Sequence, residues 1–223
     1  MFTINPIASD YCGSPNPRTL TWNKRTHCCS WSGVHCEDTT GQVIELRLSC
    51  SGIQGKFHSN TSLFQISSLR RLDLAGNDFS GSLISPRFGE LSSLTHLDLW
   101  RSGFTGVIPA EISHLSKLQV LHIWTVVAYG LRLGSYNFEL LLNNLTQLRE
   151  LDLLFVNISS SIPRNFFSYL TTLGLPDTQL HGLLPGRVFH LSNLEYLCLS
   201  YNSLTGPIPS KVSGLQNLQL HAL

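Results

Sequence analysis

Thiol chemistry is the first chemistry that this 223-residue sequence offers, because five of its six cysteines lie within the first 50 residues: Cys12, Cys28, Cys29, Cys36 and Cys50. Such crowding is typical of disulfides formed in an oxidising compartment. The alternative is a zinc site that combines Cys28, Cys29 and Cys36 with His27 or His35. Zinc sites normally use C-x2-C pairs rather than adjacent cysteines. We therefore expect disulfides and no metal, with a Cys29–Cys36 bridge around Trp31.

No motif in the sequence supports catalysis. The nine histidines show no H-E-x-x-H spacing, and there is no G-x-S-x-G turn, glycine-rich phosphate loop or kinase motif. Cys198, the remaining cysteine, is expected to be an exposed free thiol, because a nucleophile would need a neighbouring base. The sequence therefore predicts a protein that is not an enzyme and uses no cofactor.

Three Asn-x-Ser/Thr sequons could carry N-linked glycans, at Asn60, Asn144 and Asn157. Two or three would arise by chance in a sequence this rich in Ser and Thr. Their placement is more informative, because all three fall between the expected strands. We expect all three to be glycosylated if the chain is secreted.

A leucine repeat defines the elements that position these groups. Pairs of the form L-x-L recur at spacings of 22 to 30 residues: Leu46/Leu48, Leu72/Leu74, Leu97/Leu99, Leu121/Ile123, Leu151/Leu153, Leu173/Leu175 and Leu197/Leu199. Because one unit cannot bury its own apolar edge, the units must stack around a continuous core. We predict a curved α/β leucine-rich-repeat solenoid with a parallel β-sheet on its concave face and a disulfide-pinned N-terminal cap.

The repeat divides the chain into three parts: a partial cap at residues 1–40, seven repeats at 41–214, and the start of a truncated eighth repeat at 215–223. Trp22 and Trp31 are expected to cover the apolar end of the first repeat. The fourth repeat is longer than its neighbours. The helical spacing of Phe138, Leu141 and Leu142 predicts a helical turn on its convex side, and a functional loop could lie at residues 128–136.

Two smaller features refine the repeat type. The G-x-[IL]-P half-repeat at Gly106–Pro109, Gly182–Pro185 and Gly206–Pro209 is typical of the plant extracellular subtype. The asparagine that follows L-x-L in regular repeats, where it can bond neighbouring backbone, occurs at Asn77 and Asn202. The array is therefore expected to be less regular than an ideal one.

The outward positions of the strands are the candidate ligand surface, because strand side chains alternate between the two faces of a sheet. Trp100 and Trp124 occupy equivalent positions on successive repeats, which predicts one aromatic patch with a flanking arginine. Scattered aromatics or a solvated ladder of charge would explain the same residues. The candidates are Arg71, Asp73, His96, Asp98, Trp100, Arg101, His122, Trp124, Glu150, Asp152, Phe155, Tyr196 and Tyr201.

Composition excludes two classes of partner. The formal net charge is +1 and 13% of the residues are charged, so no basic face for nucleic acid or anionic lipid is expected. The apolar runs are shorter than the roughly 20 residues of a membrane helix. Residues 1–10 have neither the basic start nor the apolar core of a secretory signal.

Several segments together resemble one known family. CCSWSGVHCEDTTGQVIELRL, KFHSNTSLFQ, FTGVIP, EISHLSKLQVL and LTQLREL are similar to the Cf class of plant receptor-like proteins. The resemblance implies a disease-resistance receptor that binds a pathogen-derived or apoplastic protein or peptide at the outer side of the plasma membrane. It also implies a partner receptor kinase, engaged through regions absent from this sequence.

The resemblance further implies a chain truncated at both ends, since that family has a signal peptide, a cap helix, more repeats and one membrane helix. In related caps the first cysteine of the adjacent pair bridges to an upstream cysteine, and here Cys12 is the only candidate upstream of Cys28. If the true partner belongs to the missing cap helix, Cys28 or Cys12 is left unpaired. Two alternatives remain open. One is a secreted protein resembling polygalacturonase inhibitors, and the other is a non-functional receptor remnant.

Overall fold

A computed structural model describes residues 2–13, 17–125, 130–163, 169–207, 215 and 217–218. Its dominant element is an eight-stranded sheet formed by β2 (Val34–Cys36), β3 (Val43–Arg47), β5 (Arg71–Asp73), β6 (His96–Trp100), β8 (Val120–Trp124), β10 (Glu150–Asp152), β11 (Thr172–Gly174) and β13 (Tyr196–Cys198). The strands lie side by side in chain order, and each pair from β3 to β13 is parallel. The predicted solenoid is thereby confirmed.

The strand register is the one that the L-x-L pairs predict. The first leucine of each pair aligns with the corresponding residue of the next strand, from Leu46 to Leu197. These leucines are buried in one continuous core. The side chains between them consequently point to the opposite face, where they form the candidate ligand surface.

Shorter strands pair outside the main sheet: β1 (Thr3–Ile4), β4 (Ile53–Gln54), β7 (Gly106–Val107), β9 (Leu131–Arg132), β12 (His181–Leu183) and β14 (Ser203–Thr205). β1 pairs with β4 in antiparallel fashion, and β7–β9 and β12–β14 are parallel. The opposite side of the core is covered in the repeats by 3-10 helices at Ser62–Gln65, Pro86–Glu90, Ala110–His114 and Gly186–His190, each of which buries at least one apolar residue. Three further 3-10 helices lie in the cap, at Pro6–Cys12, Arg18–Thr21 and Cys28–Ser30.

The predicted helical turn of the long fourth repeat is a ten-residue helix, α1 (Ser135–Asn144). It buries Phe138, Leu141 and Leu142, the three residues whose spacing predicted it. The functional loop considered at residues 128–136 contains regular structure in its described part, since β9 and the first two residues of α1 lie within it. Residues 128 and 129, and most of the expected eighth repeat, lie outside the described residues.

The cap closes the first repeat in two ways. β2 pairs with β3 in antiparallel fashion and so covers the edge of the sheet. Trp22 and Trp31 stack with ring centroids 5.0 Å apart and pack against the core, as expected. Each indole N–H is satisfied, since Trp22 donates to the carbonyl of Ser32 and Trp31 to the carbonyl of Asn23.

The structure contains two disulfides. Cys29 is bonded to Cys36, the pair expected from the sequence. This bond removes two thiols from the zinc alternative, which therefore does not fit the cap. Cys12 is bonded to Cys50 and not to Cys28, so the pairing that the family resemblance implied is corrected. Among the described residues, Cys28 and Cys198 are free thiols.

The Cys12–Cys50 pairing follows from how the first strand docks. The antiparallel contact of β1 with β4 lays the 3-10 helix Pro6–Cys12 beside the turn that contains Cys50. The Ser9 hydroxyl fixes this placement, because it accepts a hydrogen bond from the amide of Gly52 at 3.0 Å and donates one to the carbonyl of Gly76. Cys198 is also different from expectation, since it is half-buried and lies 3.3 Å from the Ser200 hydroxyl.

Candidate functional site

The parallel register arranges the outward side chains in rows that run across the strands. One row, called here the central row, contains Asp73, Asp98, His122, Asp152, Gly174 and Cys198. Two residues further along the strands, Trp100 is paired with Trp124. The predicted surface is therefore one continuous face with a polar centre beside an aromatic border.

His122 connects three strands at the centre of this face. Its Nδ1 lies 3.3 Å from Asp98 Oδ2 on β6, and its Nε2 lies 3.4 Å from Glu150 Oε2 on β10. Burial alone would lower the pKa of His122, but the hydrogen bond to Asp98 and the nearby charges of Asp98, Asp152 and Glu150 outweigh it, so the pKa is raised above 6.5. The protonated ring can donate to both carboxylates at once.

Two other carboxyls of the central row are held in a less polar setting. Burial, with a contribution from the charge of Asp98, raises the pKa of Asp73. Burial likewise raises the pKa of Asp152, against the opposing charge of His122. The Asp152 carboxyl leans over Gly174, where an added Cβ would lie 3.0 Å from its Cγ. Because Gly174 has no side chain, it leaves room for the Asp152 carboxyl.

The aromatic border is a compact cluster, called here the Trp–Arg patch: Trp100, Arg101, Trp124 and Phe155. The two indole rings are 4.6 Å apart, and Phe155 lies 6.3 Å from Trp124. The Arg101 guanidinium stacks over Trp124 at 4.3 Å and lies 5.4 Å from Trp100. The prediction of one aromatic patch agrees with this geometry.

The backbone explains how Arg101 and Phe155 reach the patch. Arg101 directly follows β6, Phe155 lies three residues after the end of β10, and their φ angles are positive, 49° and 59° respectively. The left-handed conformation is unusual for non-glycine residues and turns their side chains back towards the sheet. Trp124 Nε1 and Asp152 Oδ1 are buried and make no hydrogen bond within the described part of the chain. Both atoms are therefore candidates for ligand contacts.

The remaining predicted residues lie on the same face but outside this cluster. Arg71 and His96 precede the central row on β5 and β6, and Tyr196 holds the same position on β13. Burial and the charge of Arg71 lower the pKa of His96. Burial and the neighbouring Cys198 thiol raise the pKa of Tyr196. Tyr201, which is 86% exposed, stands at the far end.

Sequence reasoning missed Glu45 and Arg47, which form an ion pair of 2.7 Å on β3. The signal was present, because both flank Leu46 and so obey the alternation that identified the other positions. The role of Gly174 in leaving room for the Asp152 carboxyl had no such signal in the sequence, because it depends on the position of a side chain on the neighbouring strand.

The opposite shifts of the two histidines give a pH prediction. In an NMR titration of the imidazole signals, we expect His122 to titrate above 6.5 and His96 below it. Protonation of His122 therefore stabilises the fold below pH 6.5, and this contribution is lost as pH rises through its folded-state pKa. His96 acts in the opposite sense, destabilising the fold as pH falls below 6.5.

The substitution Asp98→Asn tests whether Asp98 raises the pKa of His122. It removes the negative charge beside His122, so the pKa of His122 should fall while His96 continues to titrate below 6.5. An unchanged His122 titration in this variant would contradict the assigned contact.

The three sequons lie away from the central row. Asn60 and Asn144 are exposed, and Asn144 is the last residue of α1. Asn157 is half-buried, and its Oδ1 accepts a hydrogen bond of 2.6 Å from the Ser159 hydroxyl of its own sequon. That all three carry glycans stays a prediction.

Comparison with known proteins agrees with this architecture. The family model of the leucine-rich-repeat N-terminal domain matches residues 9–37. The family model of the leucine-rich repeat matches residues 68–91, 93–115 and 193–215. The Arabidopsis receptor kinase HAESA ectodomain, solved with an IDA peptide hormone ligand, superposes with a TM-score of 0.68 at 26% identity, covering 98% of this chain and 38% of that one. Fold and cap together define a leucine-rich-repeat protein of the plant extracellular type.

Two tomato relatives narrow the class. The receptor-like protein Cf-9 homolog of Solanum lycopersicum is 62% identical over the whole of this chain. Receptor-like protein Cf-9 of Solanum pimpinellifolium is 67% identical over 91% of it. The chain belongs to the Cf class of plant leucine-rich-repeat receptor-like proteins. It spans 28% and 24% of the length of these two relatives.

Within the described residues, no helix has both the length and the apolar character needed to cross a bilayer.

Proposed function

We propose that this chain is a ligand-recognition segment of a plant cell-surface immune receptor, and that its concave face binds a protein or peptide. The observation that carries the proposal is the Trp–Arg patch beside the central row. Aromatic and arginine side chains dominate the energetics of protein interfaces. Here they are clustered on a rigid sheet and not scattered over the surface.

The proteins that are similar to this chain also support a role in ligand binding by a receptor. The HAESA ectodomain, which is similar to this chain, was solved in complex with a peptide hormone. The two Solanum relatives, 62% and 67% identical, are receptor-like proteins. We infer that the ligand is pathogen-derived or apoplastic, that the segment lies on the outer side of the plasma membrane, and that a partner receptor kinase passes on the signal. We also infer that the segment binds its ligand without chemical conversion.

The geometry suggests how such a ligand would be held. The indole faces of Trp100 and Trp124 offer a large apolar contact that loses little conformational freedom on binding. The Trp124 N–H and Asp152 Oδ1 would supply directed hydrogen bonds in a partly buried setting, where such bonds discriminate strongly. The ligand would therefore combine an apolar side chain and an acceptor for the Trp124 N–H with a donor for Asp152, whose row lies two strand residues, or about 7 Å, from the tryptophans.

A random dodecapeptide phage library panned against the 223-residue chain tests the proposal. We expect the selected peptides, resynthesised and measured by calorimetry, to bind the double variant Trp100→Ala/Trp124→Ala about thirtyfold more weakly, because the variant loses the central apolar contact. The control is Tyr136→Ala, which removes a tyrosine that is 70% exposed on α1. Peptides that bind the double variant and the unchanged chain equally would show that the patch is not the binding surface.

A further inference from the structure

A second cleft lies along the edge of the sheet where the strands begin, away from the Trp–Arg patch. Its volume is about 560 Å³, within the range of small-ligand pockets. Four of its lining residues directly precede a strand and stand in one line across neighbouring strands: Gln119, Arg149, Thr171 and Glu195. Gln147 and Tyr169 also line it.

The backbone of this edge is already satisfied. The carbonyl of Gln119 accepts from the amides of Arg149 and Glu150, and the carbonyl of Arg149 accepts from the amides of Thr171 and Thr172. In contrast to the backbone, several side chains of the cleft make no hydrogen bond or ion pair with the described part of the chain. These are the side chains of Gln119, Gln147, Arg149, Tyr169 and Glu195.

The other end of the same edge is closed by the protein itself. Arg70, which is equivalent in position to Arg149, makes an ion pair of 2.7 Å with Glu37 of the cap. Thr95 donates its hydroxyl to the carbonyl of Arg70 at 2.8 Å. The open polar groups are thus confined to the later repeats and do not occur along the whole edge.

The charges of the cleft are balanced and held apart. Arg149 and Glu195 precede strands β10 and β13, which are separated by β11, so their backbones are about 10 Å apart. No ion pair within 4.0 Å joins them in the described structure. A ligand of high net charge would be repelled by one of the two, whereas a neutral ligand with many donors and acceptors could satisfy both.

We propose that this edge cleft binds a neutral oligosaccharide. A sugar hydroxyl both donates and accepts, and the carboxamides of Gln119 and Gln147 offer both functions. The guanidinium of Arg149 supplies donors and the carboxylate of Glu195 accepts. Tyr169, which is 62% exposed, presents a ring face on which the C–H face of a pyranose can pack. A peptide would need apolar pockets, and apart from Tyr169 the described residues that line the cleft have polar side chains.

Oligosaccharide binding in this cleft does not depend on the ligand binding proposed for the concave face. An experiment can therefore contradict either proposal without contradicting the other. Cellohexaose and chitohexaose, at millimolar concentration, are the neutral probes, with hexagalacturonic acid as an acidic comparison and a Gly-Ser hexapeptide as a peptide comparison. Saturation-transfer NMR on the 223-residue chain should show contact with at least one neutral hexasaccharide. Tyr169→Ala should weaken that binding about tenfold, since it removes the stacking surface.

Two further variants separate the possible outcomes. Gln147→Ala should also weaken binding, while Tyr136→Ala, an exposed tyrosine on α1, should leave it unchanged. Absence of transfer to both neutral probes, preference for hexagalacturonic acid, or tighter binding of the Gly-Ser hexapeptide would each overturn the proposal. So would neutral-sugar binding that is insensitive to Tyr169→Ala and Gln147→Ala.

Discussion

Replacing Asn77 with alanine is expected to lower the free energy of unfolding by about 4 kcal/mol. Asn77 is completely buried between the first two repeats. Its Oδ1 accepts hydrogen bonds from the amides of Ser51 and Ile53 at 3.2 and 2.9 Å. Its Nδ2 donates to three carbonyls, those of Leu48, Leu74 and Ala75. Alanine would remove the bonds of the Ser51 and Ile53 amides and of the Leu48 carbonyl, at about 1–3 kcal/mol for each group that water cannot reach. The carbonyls of Leu74 and Ala75 would keep their bonds from the Ser102 hydroxyl and the Cys50 amide.

Two matched variants test this cause. Asn202 makes the same pattern of bonds just after β13, the last strand of the main sheet, but is half-buried, so Asn202→Ala should lose about half as much. Ser102 holds the equivalent position with a hydroxyl that donates to Leu74, so Ser102→Ala should lose about 1 kcal/mol. Urea unfolding followed by circular dichroism gives all three values. An Asn77→Ala loss no larger than that of Ser102→Ala would contradict the interpretation.

The Asn77 contacts illustrate what the sequence could predict. The L-x-L spacing fixed the register from Leu46 to Leu197, because parallel stacking of equal units leaves one alignment that buries every leucine. The same logic placed Asn77 and Asn202 against neighbouring backbone. The helix in the fourth repeat followed from the spacing of Phe138, Leu141 and Leu142. These features are all periodic, and a period can be read from a single sequence.

The features that escaped prediction are not periodic. The reach of His122 to both Asp98 and Glu150 depends on side-chain rotamers, and the sequence offered only a solvated ladder of charge across the strands. The left-handed backbone at Arg101 and Phe155 has no composition signal, since glycine is absent there. The edge cleft depends on which polar side chains the protein leaves unpaired. That is a property of the assembled surface, so no local pattern reveals it.

The disulfide pairing is the clearest case in which the structure corrects the sequence, and it gives the second large effect. The double variant Cys12→Ser/Cys50→Ser is expected to lose about 4 kcal/mol of unfolding free energy. The bond closes a loop with a sequence separation of 38 residues, and the chain-entropy model assigns about that value to a loop of this size. For Cys29→Ser/Cys36→Ser, with a separation of 7, the same model gives about 2.5 kcal/mol.

Gly76 provides an independent check on the location of the longer bridge. A Cβ at this position would lie 2.7 Å from the sulfur of Cys12 and 2.8 Å from that of Cys50, and the φ of +67° is already unfavourable for alanine. Gly76→Ala should therefore destabilise the disulfide-bonded chain more than the Cys12→Ser/Cys50→Ser chain. The unfavourable backbone conformation of alanine at residue 76 lowers the stability of both chains equally. The difference between the two losses of unfolding free energy therefore reports the contact with the two sulfur atoms. If Gly76→Ala cost the same in both, or if loss of the Cys29–Cys36 bond proved the more damaging of the two, Cys12 would not be paired beside Gly76. The bridge to Cys28 that the related caps imply would then have to be considered again.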